Sequence, residues 1–205
     1  MQLFYHPLSG HSHRVRLFLT LVNEPFELVE VDIRRGEQKT NEFLKMNRFG
    51  QVPVLKDGDT VLADSNAILI YLAKKLGRDD WLPDDPLGAA AVQRWLSVAA
   101  GEVAYGVATA RRIRISGPKP VPDDVLSRSY ALLNVLDDEL ETRNWLAAPF
   151  PTLADLAVYG YVARSPEGGI DLTVYPNVQS WLCRVESLPG FVPFAKTEVG
   201  VPASA

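Results

Sequence analysis

A loop near the N-terminus contains the first side chains in the sequence that are suited to chemistry. It holds Ser9, His11 and Ser12, and it follows a short apolar, aromatic segment at residues 3–5. An apolar helical pattern comes next, so the loop leads into a helix N-terminus. The positive end of a helix stabilises anions and a hydroxyl can donate to a thiolate, so a sulfur beside this loop would ionise more readily. The alternative is a loop whose serines only satisfy backbone groups.

All three histidines of the chain, His6, His11 and His13, fall in this same region. The loop has no acidic residue and the spacing suits no common metal site, so we predict no bound metal. The histidines are interpreted as solvated loop residues or, for His11, as a group that assists a thiol.

A proline interrupts the apolar strand pattern of residues 52–55, where it removes a backbone donor. One explanation is a cis Val52–Pro53 bond that turns the amide and carbonyl of Val52 toward an extended peptide. The other is a trans proline on an edge strand.

Asp64 and Ser65 stand at the start of a predicted helix, where unpaired amides favour an anion such as a carboxylate. Their simpler interpretation is helix capping alone.

The first eighty residues alternate between strand-like and helix-like patterns. The first helix shows apolar residues at i, i+3, i+4 and i+7, with Ser12 as its predicted N-cap, and Asp57-Gly58 predicts a tight hairpin. The opening strand, helix and strand imply two parallel strands joined by a crossover. The predicted order is βαβαββα, with strands at residues 3–5, 28–33, 52–55 and 60–62 and helices at residues 15–22, 41–46 and 65–76.

A cluster of prolines and aspartates separates this half from a second one. We therefore predict an α/β domain at residues 1–78, a linker at 79–86 and an all-helical domain at 87–205. Four apolar stripes mark the helices of the second domain, one of them formed by Leu126, Tyr130, Leu133 and Leu140. Thr152, three residues before Asp155, predicts a capping box.

Composition excludes several classes of partner. The 205 residues are 47% hydrophobic with a net charge of -4, and they carry no basic stripe suited to nucleic acid or an anionic membrane. The single cysteine, Cys183, excludes an intrachain disulfide, and no apolar run reaches the ~18 residues of a membrane span. We expect a cytoplasmic protein with a small-molecule partner.

The ordered string Asn47-Arg48-Phe49-Gly50-Gln51-Val52-Pro53-Val54-Leu55, then Asp57-Gly58-Asp59 and Leu62-Ala63-Asp64-Ser65-Asn66-Ala67-Ile68, resembles the cytosolic glutathione transferases. The resemblance covers nearly the whole chain. It implies a thioredoxin-like N-terminal domain, an all-α C-terminal bundle, a homodimer and a detoxifying enzyme. Glutathione would be its co-substrate, with no other cofactor.

The resemblance also implies the binding residues. Val52 would pair with the cysteinyl backbone of glutathione before a cis Pro53. Asp64 and Ser65 would hold the γ-glutamyl end. Gln51 and Lys39 would approach the glycyl carboxylate.

The loop Ser9-Gly10-His11-Ser12-His13-Arg14-Val15-Arg16 is similar to that of the serine-type theta, delta and zeta classes, which implies Ser9 as the catalytic hydroxyl. Ser12 and Tyr5 are the second and third candidates. The cysteine used by omega and beta classes is absent. The zeta-type double serine and cysteine is absent too, because Gly10 and His11 stand there, which argues against maleylacetoacetate isomerase activity.

We therefore expect a transferase that activates the glutathione thiolate for attack on small electrophiles. Trp95, Tyr105 and Arg111 are the candidate walls of the electrophile site. The arginines of residues 111–114 could attract an anionic co-substrate, although such runs are commonly solvated faces. A glutathione-dependent peroxidase, isomerase or lyase on the same scaffold is the nearest alternative. A non-catalytic binding or assembly protein is the other.

Overall fold

The fold is described from a computed structural model, for residues 1–197. The predicted C-terminal domain extends to residue 205, and its last eight residues lie outside the described part. The chain divides into two compact units. The first contains Met1–Asp79 and Leu188–Ala195, and the second contains Asp80–Ser187 together with Lys196 and Thr197.

The first unit has the predicted βαβαββα order. Its four-stranded sheet has the strand order β2-β1-β3-β4, with β1 and β2 parallel and the other two pairs antiparallel. A 3-10 turn at Glu37–Lys39 precedes α2. The elements are β1 (Gln2–Tyr5), α1 (Gly10–Leu21), β2 (Glu27–Glu30), α2 (Asn41–Met46), β3 (Val54–Asp57), β4 (Thr60–Ala63) and α3 (Ser65–Lys75).

Helix α1 begins earlier than the apolar pattern predicted. Its N-cap is Ser9, whose Oγ accepts from the Ser12 amide at 3.1 Å, so the prediction of Ser12 as the N-cap is wrong. Ser12 lies within the first turn instead, and its Oγ accepts from the His6 amide at 3.4 Å. Both hydroxyls can cap a helix, so the local pattern alone does not distinguish them.

The β3–β4 hairpin turns at Gly58, as predicted, with φ +58°. Its register pairs Val54 with Ala63 and Asp57 with Thr60. Tyr71 Oη of α3 donates to the Asp57 carboxylate at 2.7 Å, and Lys75 forms an ion pair with the same group. The hairpin is thereby held against α3.

The segment Leu188–Ala195 packs within the first unit, against α1. His13 is buried there, with Nε2 2.8 Å from the Val192 carbonyl and its ring stacked on Phe194 at 5.0 Å between centroids. His13 is therefore a packing residue of α1 and does not lie in a solvated loop.

The second unit is helical. A π-helical turn, Ala99–Val103, follows α4, and a 3-10 turn, Ser165–Gly168, follows α7 and packs against α5. Helix α4 packs on α7, and α6 packs on α8. The helices are α4 (Pro86–Val98), α5 (Val107–Ile115), α6 (Asp123–Glu141), α7 (Leu153–Ala163) and α8 (Pro176–Glu186).

The apolar face of α6 differs from the predicted stripe. Leu133 and Leu140 are buried as expected, and they are joined by Leu132 and Leu136. Tyr130 is 38% exposed, because it lies at the edge of the face that these leucines form.

The predicted capping box at the start of α7 is confirmed, and it extends into a buried network. The Asp155 carboxylate accepts from the amides of Thr152 and Leu146, from the Thr152 hydroxyl and from the Trp181 indole, at 2.9 to 3.2 Å. Burial raises the pKa of Asp155, while these donors act in the opposite direction. One carboxylate thus joins α7, α8 and the preceding loop.

No helix within residues 1–197 is long and apolar enough to cross a membrane.

We expect Asp155→Ala to reduce the free energy of unfolding by at least about 3 kcal/mol, because it leaves four buried donors without their acceptor. Urea denaturation measures the loss. Asp171→Ala is the matched control, since Asp171 is exposed and accepts only locally, from Thr173. Equal losses in the two variants would contradict a structural role for the buried carboxylate.

Candidate active site

A cleft of about 550 Å³ opens in the first unit, beside the N-terminus of α3. It is bordered by the end of α2, the loop before β3, the end of β4 and one residue of α1. The lining residues are His11, Met46, Asn47, Arg48, Phe49, Gln51, Val52, Pro53, Ala63, Asp64 and Ser65. A small apolar cluster that includes Val31, Phe43 and Val54 packs beneath Met46, Val52 and Ala63.

Asn47 shapes the loop that forms one side of this cleft. Its Nδ2 donates to the Gln51 carbonyl at 2.8 Å, and its Oδ1 accepts from the Phe49 amide at 3.0 Å. The Asn47 carbonyl accepts from the Gly50 amide at 2.9 Å. Gly50 has φ +59°, a conformation that glycine adopts without steric cost. The loop is therefore a tight turn with a defined backbone.

Val52 lies at the end of this loop, just before β3. The Val52–Pro53 bond is cis, as predicted. The β1–β3 ladder begins at Phe4 and Val54, so Val52 stands beyond its last pair. Lys39 is exposed and its Nζ donates to the Phe49 carbonyl at 3.1 Å, which places its ammonium against the same loop.

Asp64 and Ser65 begin α3 on the other side of the cleft. Asp64 is the N-cap, and its Oδ1 accepts from the amides of Asn66 and Ala67, each at 2.9 Å. Asp64 has φ +71°, which is uncommon for a residue other than glycine and is a form of backbone strain that clusters at functional sites. The amides of the first turn of α3 create a positive potential suited to an anion.

Beneath Ser65 lies the buried guanidinium of Arg14, which is 2% exposed. Its Nη1 donates to Asn66 Oδ1 at 2.7 Å and to Ser65 Oγ at 3.3 Å. His11 Nδ1 is 3.4 Å from the same Ser65 oxygen. Burial, followed by the charge of Arg14, lowers the pKa of His11 to about 3, so its imidazole is neutral at neutral pH.

The three candidate hydroxyl donors, Ser9, Ser12 and Tyr5, lie outside the lining of the cleft. Ser9 is half-buried, two residues before His11, and its cap bond uses a lone pair of Oγ while leaving the hydroxyl proton to be donated. Ser12 is 1% exposed and faces the His6 amide. Tyr5 is the last residue of β1 and is half-buried.

The candidate walls of the electrophile site differ in accessibility. Trp95 is buried, with Nε1 donating to the Leu146 carbonyl at 2.9 Å. Tyr105 is 65% exposed. Only Tyr105 among the three has the exposure that a substrate contact requires.

The prediction that Arg111 attracts an anionic co-substrate is wrong. It is buried, its Nε donates to the Glu167 carboxylate at 2.7 Å, and its Nη2 donates to Thr197 Oγ1 at 3.1 Å. Its charge is balanced inside the second unit, so Arg111 does not attract an anionic co-substrate from solution.

Within residues 1–197 no group of three histidine, cysteine, aspartate or glutamate side chains is close enough to hold a metal ion.

Two family models match the chain, one for each half. Residues 8–75 match "Glutathione S-transferase, N-terminal domain" and residues 98–189 match "Glutathione S-transferase, C-terminal domain". Human glutathione S-transferase theta-2B is 33% identical over 200 residues, which cover 93% of this chain and 82% of the relative. The chain belongs to the glutathione S-transferase family.

Solved structures of the glutathione S-transferase family share this fold. A possible glutathione S-transferase from Rhodopseudomonas palustris has 36% identity and a TM-score of 0.89, covering 96% of this chain and 98% of its own. A glutathione transferase homologue from Drosophila mojavensis was solved with bound glutathione. It has 29% identity and a TM-score of 0.81, and the match covers 92% of this chain and 88% of the homologue. Every residue that lines the cleft falls inside the first matched region.

Sequence reasoning assigned no role to Asn47 or Arg14. The spacing of Asn47 and Gly50 is a turn signal that could have indicated the loop scaffold. No local signal marks Arg14, because its partners are 51 and 52 residues away in the sequence.

We expect Gly50→Ala to weaken both stability and glutathione binding. A Cβ at Gly50 would lie 2.7 Å from the Gln38 carbonyl oxygen and 2.7 Å from Lys39 Nζ, so the loop must shift. Gly58→Ala is the matched control, because Gly58 has nearly the same φ and nothing within 4 Å of the added atom.

The control should lose about 1 kcal/mol from conformational strain alone and bind glutathione normally. Urea denaturation and calorimetric titration with glutathione measure the two effects. Unchanged glutathione affinity in Gly50→Ala would show that the loop does not shape the binding site.

Proposed function

We propose that this protein is a glutathione transferase that binds glutathione in the cleft beside α3 and activates its thiol for attack on small electrophiles. The observation that carries the proposal is that two binding features line the same cleft. These are the backbone of Val52 before the cis Pro53 and the helix N-terminus at Ser65, which β3 and β4 separate along the chain. Membership of the glutathione S-transferase family supports the same activity.

In this proposal glutathione adds to the sheet as an extra strand. Its cysteinyl backbone pairs with the amide and carbonyl of Val52, before Pro53. Its γ-glutamyl carboxylate lies at the Ser65 amide, and Asp64 takes the γ-glutamyl ammonium. Gln51 and Lys39 approach the glycyl carboxylate.

The chemistry requires that the thiol of glutathione ionise near neutral pH. Each unit by which its pKa falls corresponds to about 1.4 kcal/mol of preference for the thiolate. A hydrogen bond to a charged group contributes about 1.5 to 3 kcal/mol, so the Ser9 hydroxyl can supply one to two units. The N-terminus of α1 adds to this in the same direction.

The ionised sulfur then attacks the electrophile. The thiol proton passes to solvent when the sulfur ionises, and the sulfur lone pair then forms a carbon–sulfur bond. In a substitution, the electron pair of the broken bond leaves with the departing group. In a conjugate addition, the π electrons of the attacked double bond shift away from the new bond, and the adduct takes a proton from solvent. The step needs neither a metal nor a redox cofactor. Tyr105 is our candidate contact for the electrophile.

The rival functions have less support. Disulfide chemistry of the omega and beta type has no nucleophile in the active-site loop, since the only cysteine is Cys183, which is exposed on α8. The related proteins named above are described as a glutathione S-transferase, a possible one and a homologue of one, and none of these descriptions names a peroxidase, isomerase or lyase. We further propose a cytoplasmic location and a role in detoxification.

We also propose a homodimer. Phe49 and Leu87 are 81% and 84% exposed in the single chain, and burial of large apolar side chains favours association. Multi-angle light scattering at micromolar concentration should give twice the chain mass of 22.7 kDa. A mass equal to one chain would contradict the dimer.

The sharpest test of the mechanism is Ser9→Ala. The hydroxyl interacts strongly with the sulfur only when the sulfur is charged, so the variant should raise the thiol pKa of bound glutathione and leave binding nearly intact. The rate near neutral pH should fall roughly ten- to a hundredfold, and the loss should shrink at higher pH. Titration of the thiolate absorbance in the binary complex measures the pKa.

Ser12→Ala and Tyr5→Phe are the comparison variants. If one of them shifts the thiol pKa while Ser9→Ala titrates like wild type, the assignment of Ser9 is wrong. Because Ser9 also caps α1, its variant should lose about 1 kcal/mol of stability, which urea denaturation separates from the catalytic effect.

A further inference from the structure

Three side chains form a hydrogen-bonded series that runs from the interior of the first unit to the cleft. Arg14 Nη1 donates to Ser65 Oγ at 3.3 Å, and Ser65 Oγ lies 3.4 Å from His11 Nδ1. Arg14 and Ser65 are almost completely buried, at 2% and 3% exposure. Ser65 and His11 both line the cleft. The series therefore connects a buried positive charge to the expected binding surface.

The direction of each hydrogen bond follows from the chemistry of the three groups. A guanidinium only donates, so Arg14 occupies one lone pair of the Ser65 oxygen. If His11 Nδ1 also donated to this oxygen, the Ser65 hydroxyl proton would have no acceptor within residues 1–197. A buried hydroxyl without an acceptor is costly, so Ser65 donates to His11 Nδ1.

This arrangement defines the tautomer of His11. A neutral imidazole carries one proton, and an acceptor at Nδ1 requires that the proton be on Nε2. The lowered pKa of His11 agrees, because an imidazolium could not accept from Ser65. Arg14 polarises the series from its buried end, which makes the Nε2–H a stronger donor to an anion.

We propose that His11 is a glutathione-binding residue whose Nε2–H donates to the γ-glutamyl carboxylate. This inference rests on the proposed function, and it adds a side chain that acts at the same end of the ligand as Ser65.

The carboxylate is the favoured recipient because of the residues that surround His11. His11 contacts Ser65 at the first turn of α3, where the helix N-terminus favours an anion. The sulfur is assigned to Ser9, whose oxygen faces the Ser12 amide at the start of α1. Because His11 contacts Ser65, its Nε2–H is expected to donate to the γ-glutamyl carboxylate and not to the sulfur.

Calorimetric titration with glutathione and with S-methylglutathione tests the inference. S-methylglutathione has both carboxylates and no ionisable thiol. His11→Leu should raise the Kd for both ligands roughly tenfold or more, since it removes a donor to a charged group. His11→Gln, whose amide places a donor near the position of Nε2, should recover most of this affinity.

His6→Asn is the matched control. His6 belongs to the same loop, its Nδ1 accepts from the Leu8 amide, and it does not line the cleft. The asparagine oxygen can replace that acceptor, so its affinity for both ligands should equal that of wild type. The thiol pKa of bound glutathione should be unchanged in His11→Gln.

Wild-type affinity for both ligands in His11→Leu would overturn the inference. A loss of affinity for glutathione alone, with S-methylglutathione unaffected, would place His11 at the sulfur and would also overturn it. If the wild-type protein binds neither ligand, the proposed function itself fails, and this outcome is distinct from the other two.

Nitrogen-15 spectra of the histidine rings supply a readout that a purely structural role would not produce. In the unliganded protein at neutral pH, His11 should show a protonated Nε2 and an unprotonated Nδ1. Ser65→Ala should remove this bias, because it removes the donor to Nδ1. A protonated Nδ1 in the wild-type protein would contradict the proposed direction of the series.

Discussion

The contact between Arg14 and the first turn of α3 is the interaction on which the site depends. Arg14 projects from α1, so its hydrogen bonds to Ser65 and Asn66 tie the starts of two helices together. Each helix start carries a positive potential, and the guanidinium adds a full charge between them. This positive potential favours a ligand that places one negative group near each helix start. Glutathione has that distribution of charge in its γ-glutamyl carboxylate and its thiolate.

The remaining features of the first unit position groups around this contact. The turn at Asn47 and Gly50 brings Val52 to the cleft, and the small apolar cluster under Val52 supports it from below. The ion pair and hydrogen bond to Asp57 hold the hairpin against α3. In the second unit, the Asp155 network and the Arg111–Glu167 pair are interior features, and we assign them to stability rather than to chemistry.

Local patterns in the sequence predicted much of this structure. The hairpin at Asp57-Gly58 and the capping box at Thr152 each depend on residues close together in the chain, and both are confirmed. The residues around Pro53 left a cis and a trans bond open, and the resemblance to glutathione transferases implied the cis bond that the structure has. The resemblance to glutathione transferases was likewise confirmed by the family models.

Features that depend on distant residues could not be predicted. The choice between Ser9 and Ser12 is a different case, because both serines can cap a helix and the local pattern does not distinguish them. Arg111 belongs to a run of arginines that resembles a solvated face, and its partner Glu167 is 56 residues away. The role of Arg14 is hidden for the same reason.

A crystal structure of the protein with glutathione tests the central claim most directly. The account predicts that the cysteinyl backbone pairs with Val52, that the γ-glutamyl carboxylate lies at the start of α3 beside Ser65, and that the sulfur is within hydrogen-bond distance of Ser9 Oγ. Glutathione bound outside this cleft, or bound in it with the sulfur beside Tyr5 and away from Ser9, would contradict it.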